Sequence, residues 1–131
     1  DKLLAAMPGA ATLVRNVRFL LDVARLLEVS VRATEQYPKG LGPTTATVAE
    51  CLTAPIPAKT AFSCCGSTEL ADDLAGLAPK AVVVCGMETH VCVAQTVLDL
   101  LAARRTVFVP VDAVQSRFAV DHDAALRRLE R

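Results

Sequence analysis

The chain has 131 residues, in which 14 lysine and arginine residues balance 14 aspartate and glutamate residues, and 53% of the residues are hydrophobic. This apolar content is too high for a disordered chain, and the length suits one globular domain with a buried core. Zero net charge gives no electrostatic reason to expect nucleic acid or an anionic membrane surface as a partner. No apolar run is long enough to span a membrane, so no membrane partner is predicted.

The cysteines indicate a reduced protein. Their number is odd, no C-x-x-C pair occurs, and only His90 and His122 could join them in a zinc site. Small unpaired thiols are typical of an intracellular chain, and a cytoplasmic location is expected. The five are Cys51, Cys64, Cys65, Cys85 and Cys92.

The predicted elements alternate between helices and strands. Apolar spacing predicts helices over 10–28 and 91–103 and a final helix over 119–131, and a weak helix is predicted over 46–52. Ser67 is expected to cap a helix that ends at Leu77. Short apolar runs predict strands over 29–34, 81–85 and 106–111, the last two buried on both faces. This order predicts an α/β fold of three α/β/α layers around a mostly parallel, Rossmann-like sheet.

In such a sheet the chemistry is expected in loops at the carboxyl ends of the strands, here 35–43, 86–92 and 112–117. The segment VVVCGMETHVC places a glycine and a tight turn between a strand and Cys92. A cysteine in the first helical turn has a lowered pKa and is a candidate nucleophile, although a packing cysteine fits the spacing equally well. Cys85, inside the strand, is expected to be inert.

Other polar residues are weaker candidates by spacing alone. Lys59 stands in the apolar loop PIPAKTAF, where it could hold a thiolate in its charged form, although a surface lysine is the commoner case. His90 is two positions from Cys92, which points it elsewhere and makes it a pocket-wall residue at most. Glu88 could act as a general acid, but a carboxylate in a turn is usually solvated. Asp112 is expected to cap a turn.

Four segments together resemble the isochorismatase-like hydrolase family, in its nicotinamidase-related, isochorismatase-domain-containing branch. They are VVVCGMETHVCVAQTVLDLL, AKTAFS, TEQYPKGLGPT and VFVPVDAVQSR, and the likeness covers nearly the whole chain. The combination of G-x-x-T-x-x-C-V with K-T-x-F-S is specific, whereas each motif alone is weak.

The resemblance implies an Asp–Lys–Cys triad in which Cys92 is the nucleophile and Lys59 the lysine. It also implies a cis peptide bond between Met87 and Glu88, and an oxyanion hole formed by the backbone N–H groups of Glu88 and Cys92. The expected substrate-binding residues are Gln36, Tyr37, Phe62 and His90.

One part of the family pattern has no match in the sequence. The family aspartate ends the first strand, which would place it three positions before Asp1, and Asp1 itself is not a substitute. That strand would lie between 29–34 and 81–85 and fill a gap near 10 Å wide. We therefore expect 1–131 to be a single domain of a natural chain that is longer at its amino end, and also at its carboxyl end.

The predicted function is a hydrolase that acts on a small amide or related acyl substrate through Cys92, with no metal, no cofactor and a small molecule as its partner. The resemblance also implies a homo-oligomer. Alternatives are a non-catalytic binding member of the fold, a vinyl ether hydrolase of the isochorismate type, or a redox sensor. The redox sensor would need a resolving thiol near Cys92, and Cys85, the only one close in sequence, is expected to point into the core.

Overall fold

The computed structural model describes residues 2–130. Helices and short parallel strands alternate along the chain, which confirms the predicted α/β class. The helices are α1 Lys2–Ala5, α2 Ala10–Leu26, α3 Pro38–Leu41, α4 Ala46–Ala49, α5 Thr68–Leu77, α6 Ala94–Ala102 and α7 Ala119–Leu129, with a 3₁₀ turn at Cys64–Gly66 and a π turn at Thr89–Val93. The strands are β1 Glu35–Gln36, β2 Ala58–Lys59, β3 Ala81–Val83, β4 Gly86–Met87, β5 Thr106–Phe108 and β6 Val114–Gln115.

Within residues 2–130 the strands pair as three parallel two-stranded units. In β1–β2, Gln36 is opposite Lys59, and in β4–β6, Gly86 is opposite Val114. The longest unit, β3–β5, has three residue pairs. Each unit joins strands distant in sequence, as a crossover connection requires.

The predicted strand over 29–34 is wrong. The first strand is instead Glu35–Gln36, which lies in the predicted loop. Its flanking hydrogen bonds run from Glu35 N–H to the carbonyl of Pro57 and from Tyr37 N–H to the carbonyl of Lys59. A strand needs a partner to bond to, and residues 29–34 pair neither with β3 nor with another described strand. The β-branched residues of the segment 29–34 are therefore not enough by themselves to form a strand.

The strands β3 and β5 are not buried on both faces. One face packs on a core of Val93, Val97 and Val114, which Val84 and Val107 join. On the opposite face Val83 and Phe108 are paired in register and are 56% and 57% exposed. Among residues 2–130, therefore, the apolar run of each strand is covered on one side only.

Helix starts follow local chemistry. The Ser67 hydroxyl accepts a hydrogen bond from Leu70 N–H, which confirms the predicted cap of α5. The predicted helix over 91–103 is split, because the π turn precedes α6 and an i→i+5 turn changes the phase of the helix that follows. In α6, Leu98 and Leu101 are exposed, and Thr96 and Leu100 are buried. Position 131, predicted as the end of the last helix, lies outside the described residues.

Candidate functional site

The turn that carries Cys92 begins at a glycine. Gly86 has φ of +134°, a conformation that residues with a Cβ rarely adopt. Two residues later Glu88 is left-handed, with φ of 59°, and the chain then enters the π turn that contains Cys92. The prediction of a cis bond between Met87 and Glu88 is wrong, because no peptide bond among the described residues is cis. The left-handed Glu88 redirects the chain there instead.

The structure brings Lys59 and Cys92 together. Nζ of Lys59 lies 3.9 Å from Sγ of Cys92, and the lysine is only 6% exposed. The ammonium also donates to Gln36 Oε1 at 2.5 Å and to the carbonyls of Ala61 and Phe62 at 3.0 and 2.8 Å. Lys59 is thus a buried and fully bonded cation rather than a surface lysine.

Burial raises the pKa of the Cys92 thiol, and the positive charge of Lys59 opposes that rise. The expectation that the start of a helix lowers this pKa is therefore wrong. Burial in the π turn removes solvation from the thiolate, and this loss raises the pKa more than the attraction of Lys59 lowers it. A reaction through this thiol needs a base to remove its proton.

No carboxylate among residues 2–130 pairs with Lys59, since the ion pairs found there all involve other cations. Within the same part of the chain, no group of three or more His, Cys, Asp or Glu side chains is placed to hold a metal ion.

The four residues expected to bind substrate lie in different settings. Gln36 is engaged with Lys59 and donates through Nε2 to the carbonyl of Thr60. Tyr37 and Phe62 are both more than half exposed, and Phe62 supplies a carbonyl to Lys59. His90 faces away, into a cleft of about 170 Å³ beside α7 that neither Cys92 nor Lys59 lines.

Sequence reasoning missed the ion pair of Glu88 with Arg117, whose Nε lies 3.0 Å from Glu88 Oε1. The carboxylate expected to be solvated is buried, because this partner arrives from the segment before α7. The one available signal was that Arg117 falls in a loop at the carboxyl end of a strand, like Glu88.

Comparison with known proteins places this arrangement in a class. The isochorismatase domain model matches residues 1–131. Isochorismatase domain-containing protein 2A of Mus musculus is 43% identical over 111 residues, which cover 84% of this chain and 52% of the mouse protein. The chain thus spans about half the length of the curated relatives it matches.

Two solved structures are similar over 99% of this chain and 67% of theirs. MAR1 ribonuclease from Caenorhabditis elegans is 39% identical with a TM-score of 0.91. YcaC from Pseudomonas aeruginosa, solved with hexane-2,5-diol and covalent acrylamide, is 26% identical with a TM-score of 0.91.

The fold is therefore the mixed α/β fold with parallel strands that these structures share. The chain belongs to the isochorismatase-like hydrolase family. None of the helices in the described residues is long and apolar enough to cross a membrane.

Proposed function

We propose that the protein hydrolyses a small amide or related acyl substrate, with Cys92 as the nucleophile. The observation that carries this proposal is the 3.9 Å contact between Cys92 Sγ and Nζ of the buried Lys59. A fixed cation beside a thiol stabilises the thiolate, which is the attacking species. The covalent acrylamide in YcaC supports the choice, because acrylamide is both an electrophile and a small amide.

The proposed reaction starts with proton removal. The family pattern implies an aspartate three positions before Asp1 as the base, and among residues 2–130 no ion pair joins a carboxylate to Lys59. This aspartate takes the Cys92 proton, and the thiolate then forms a bond to the carbonyl carbon. The backbone N–H groups of Glu88 and Cys92 hold the resulting oxyanion.

The intermediate next expels the amine, which takes the proton from the aspartic acid. Water then gives one proton to the aspartate and adds its hydroxide to the thioester. Collapse releases the carboxylic acid, and the aspartic acid returns the proton to the Cys92 sulfur. Tyr37 and Phe62, exposed beside the lysine loop, would contact the substrate, and no metal or cofactor takes part. His90 would contact it only if the substrate reached the cleft beside α7.

A second candidate is ribonuclease activity, because MAR1 ribonuclease is 39% identical to this chain. Phosphate recognition needs free cations. Lys59 is engaged by three oxygens and Arg117 by Glu88, so neither of these two cations is free to bind a phosphate. Cleavage of a vinyl ether, another alternative, gives the Cys92 thiol no covalent role. The Lys59–Cys92 contact therefore favours acyl transfer over vinyl ether cleavage. A homo-oligomer and a cytoplasmic location stay predictions.

The test uses the natural chain with its upstream residues. Ammonia release is measured from a panel of small primary amides, with cleavage of a fluorescent RNA as a parallel arm. We expect the wild type and the Cys65→Ala variant to release ammonia and the Cys92→Ala variant to release none. RNA cleavage that survives in Cys92→Ala would favour the second candidate. Binding of an amide without turnover, together with a Cys92 no more reactive than Cys65, would favour a non-catalytic binding protein.

A further inference from the structure

Three consecutive residues ahead of Cys92 are each joined to the segment that begins α7. Glu88 Oε1 accepts a hydrogen bond from Arg117 Nε at 3.0 Å. Thr89 Oγ1 lies 2.9 Å from His122 Nδ1, and His90 Nδ1 lies 3.0 Å from Ser116 Oγ. The nucleophile turn is therefore attached residue by residue to a segment 26 to 33 positions away.

Of these three contacts, the one at Glu88 joins two charged side chains at a residue with a left-handed backbone. Glu88 is 5% exposed and left-handed, a conformation that side chains with a Cβ disfavour. Its second carboxylate oxygen lies 3.7 Å from His90 Nδ1, so Arg117 is its one permanently charged partner within residues 2–130. A buried carboxylate without such a partner is strongly disfavoured.

The same carboxylate acts electrostatically on Cys92. The titratable groups that act electrostatically on the thiol are Lys59 from β2, Cys64 from the 3₁₀ turn and Glu88 from its own turn. Burial, Cys64 and the negative charge of Glu88 raise the pKa of Cys92, whereas Lys59 lowers it. Arg117 is placed to offset the Glu88 charge.

We propose that Glu88 and Arg117 are positioning residues: their ion pair holds the turn that presents Cys92 to Lys59 and neutralises a negative charge beside the nucleophile. This inference rests on the proposed function and adds two residues to it. Neither side chain touches the substrate: Arg117 acts on the Glu88 carboxylate, and that carboxylate acts on Cys92, whereas only the backbone N–H of Glu88 would hold the oxyanion.

The charge argument gives opposite signs for the two halves of the pair. Arg117→Gln leaves the Glu88 charge uncompensated, which disfavours the thiolate. Glu88→Gln removes that charge, keeps nearly the same shape and favours the thiolate. If the ion pair were merely structural, its loss would loosen the turn in both variants, and the pKa of the Cys92 thiol would shift in the same direction in both.

The experiment measures the rate at which acrylamide alkylates Cys92 between about pH 7 and about pH 10, above the usual range of carboxyl groups. Peptide mass spectrometry assigns the modified cysteine. We expect the midpoint to rise by about half a pH unit in Arg117→Gln and to fall by a similar amount in Glu88→Gln, each roughly a threefold change in thiolate fraction. The double variant should resemble Glu88→Gln. Arg25→Gln, which breaks the exposed pair of Arg25 with Asp22, should match the wild type.

Midpoints that move in the same direction in both single variants, or in neither, would overturn the inference. Should Arg117→Gln fail to fold by circular dichroism, Glu88→Gln alone decides, because its midpoint must fall. The proposed function fails separately, through turnover that persists in Cys92→Ala. A reactive wild-type Cys92 that is indifferent to the Glu88 charge would overturn only the positioning role.

Discussion

Nζ of Lys59 and Sγ of Cys92 lie 3.9 Å apart, although 33 residues separate them in sequence. The ammonium has three N–H bonds, and three oxygens, from Gln36, Ala61 and Phe62, already accept them. Its contact with the sulfur is therefore mainly one of charge. Lys59 is held as a fixed cation that cannot turn toward a substrate without giving up one of these oxygens.

The first prediction concerns that cation. Lys59→Met leaves the Gln36 amide oxygen and two carbonyls without their donor, which should lower the free energy of unfolding by about 1–3 kcal/mol. The pKa of Cys92 should also rise, because the charge that opposes burial is gone. Urea unfolding and acrylamide alkylation over pH measure the two effects. Lys39→Met, at an exposed lysine of α3, is the control, and equal behaviour of both variants would contradict the role of Lys59.

The second prediction separates two cysteines of the same segment. Cys92→Ala should abolish amide turnover because it removes the covalent route. Cys85→Ala should keep turnover and lose about 1 kcal/mol of stability, since it leaves only a small cavity. Ammonia release and urea unfolding of both variants check this. Turnover in Cys92→Ala would remove the central claim.

The third prediction concerns alkaline pH. Burial raises the pKa of Cys85 above its usual value of 9.0, so the folded protein favours the neutral thiol more than the unfolded chain does. This contribution to stability is complete below pH 9.0 and is lost as pH rises toward the folded-state pKa. Urea unfolding from about pH 7 to about pH 10 should show a steeper decline for the wild type than for Cys85→Ala. Parallel curves would contradict the assignment.

Local signals in the sequence pointed to several residues of the candidate site, and long-range contacts account for the pairings that these signals missed. The glycine and turn before Cys92, the apolar loop around Lys59 and the Ser67 cap are each readable within about ten residues. The Glu88–Arg117 pair spans 29 positions, and one chain carries no sign of which loops meet. The strand at Glu35–Gln36 was missed for the same reason, because its partner at Ala58–Lys59 defines it.

The fourth prediction tests the glycine that opens the nucleophile turn. A Cβ at Gly86 would meet nothing within 4 Å, so the cost of Gly86→Ala is one of backbone conformation at φ of +134°. We expect a loss of about 1–3 kcal/mol. Gly76→Ala is the matched control, because a Cβ at Gly76 also meets nothing within 4 Å. Gly76 lies inside α5, where alanine should stabilise the protein by about 0.4–1 kcal/mol. Thermal unfolding compares them, and equal shifts would count against the conformational explanation.

The fifth prediction is that hydrolysis needs no metal. The resemblance implies that a metal, where nicotinamidases of the superfamily hold one, is bound by an aspartate and histidines in the segment that here reads Glu35, Gln36 and Tyr37, and this segment has no histidine. Gln36 is already bound to Lys59. Activity should therefore survive dialysis against a strong chelator. Loss of activity that added zinc or iron restores would contradict this.

The pairing of Gln36 with Lys59 across β1 and β2 makes the position of the cation an all-or-none property. Side chains alternate between the two faces of a strand, so a slip of one residue would turn Lys59 to the side away from Cys92. Hydrogen bonds from Glu35 N–H to Pro57 and from Tyr37 N–H to Lys59 fix the alignment. An insertion or deletion between Tyr37 and Pro57 would thus either leave the ammonium where it is or remove it from the site altogether.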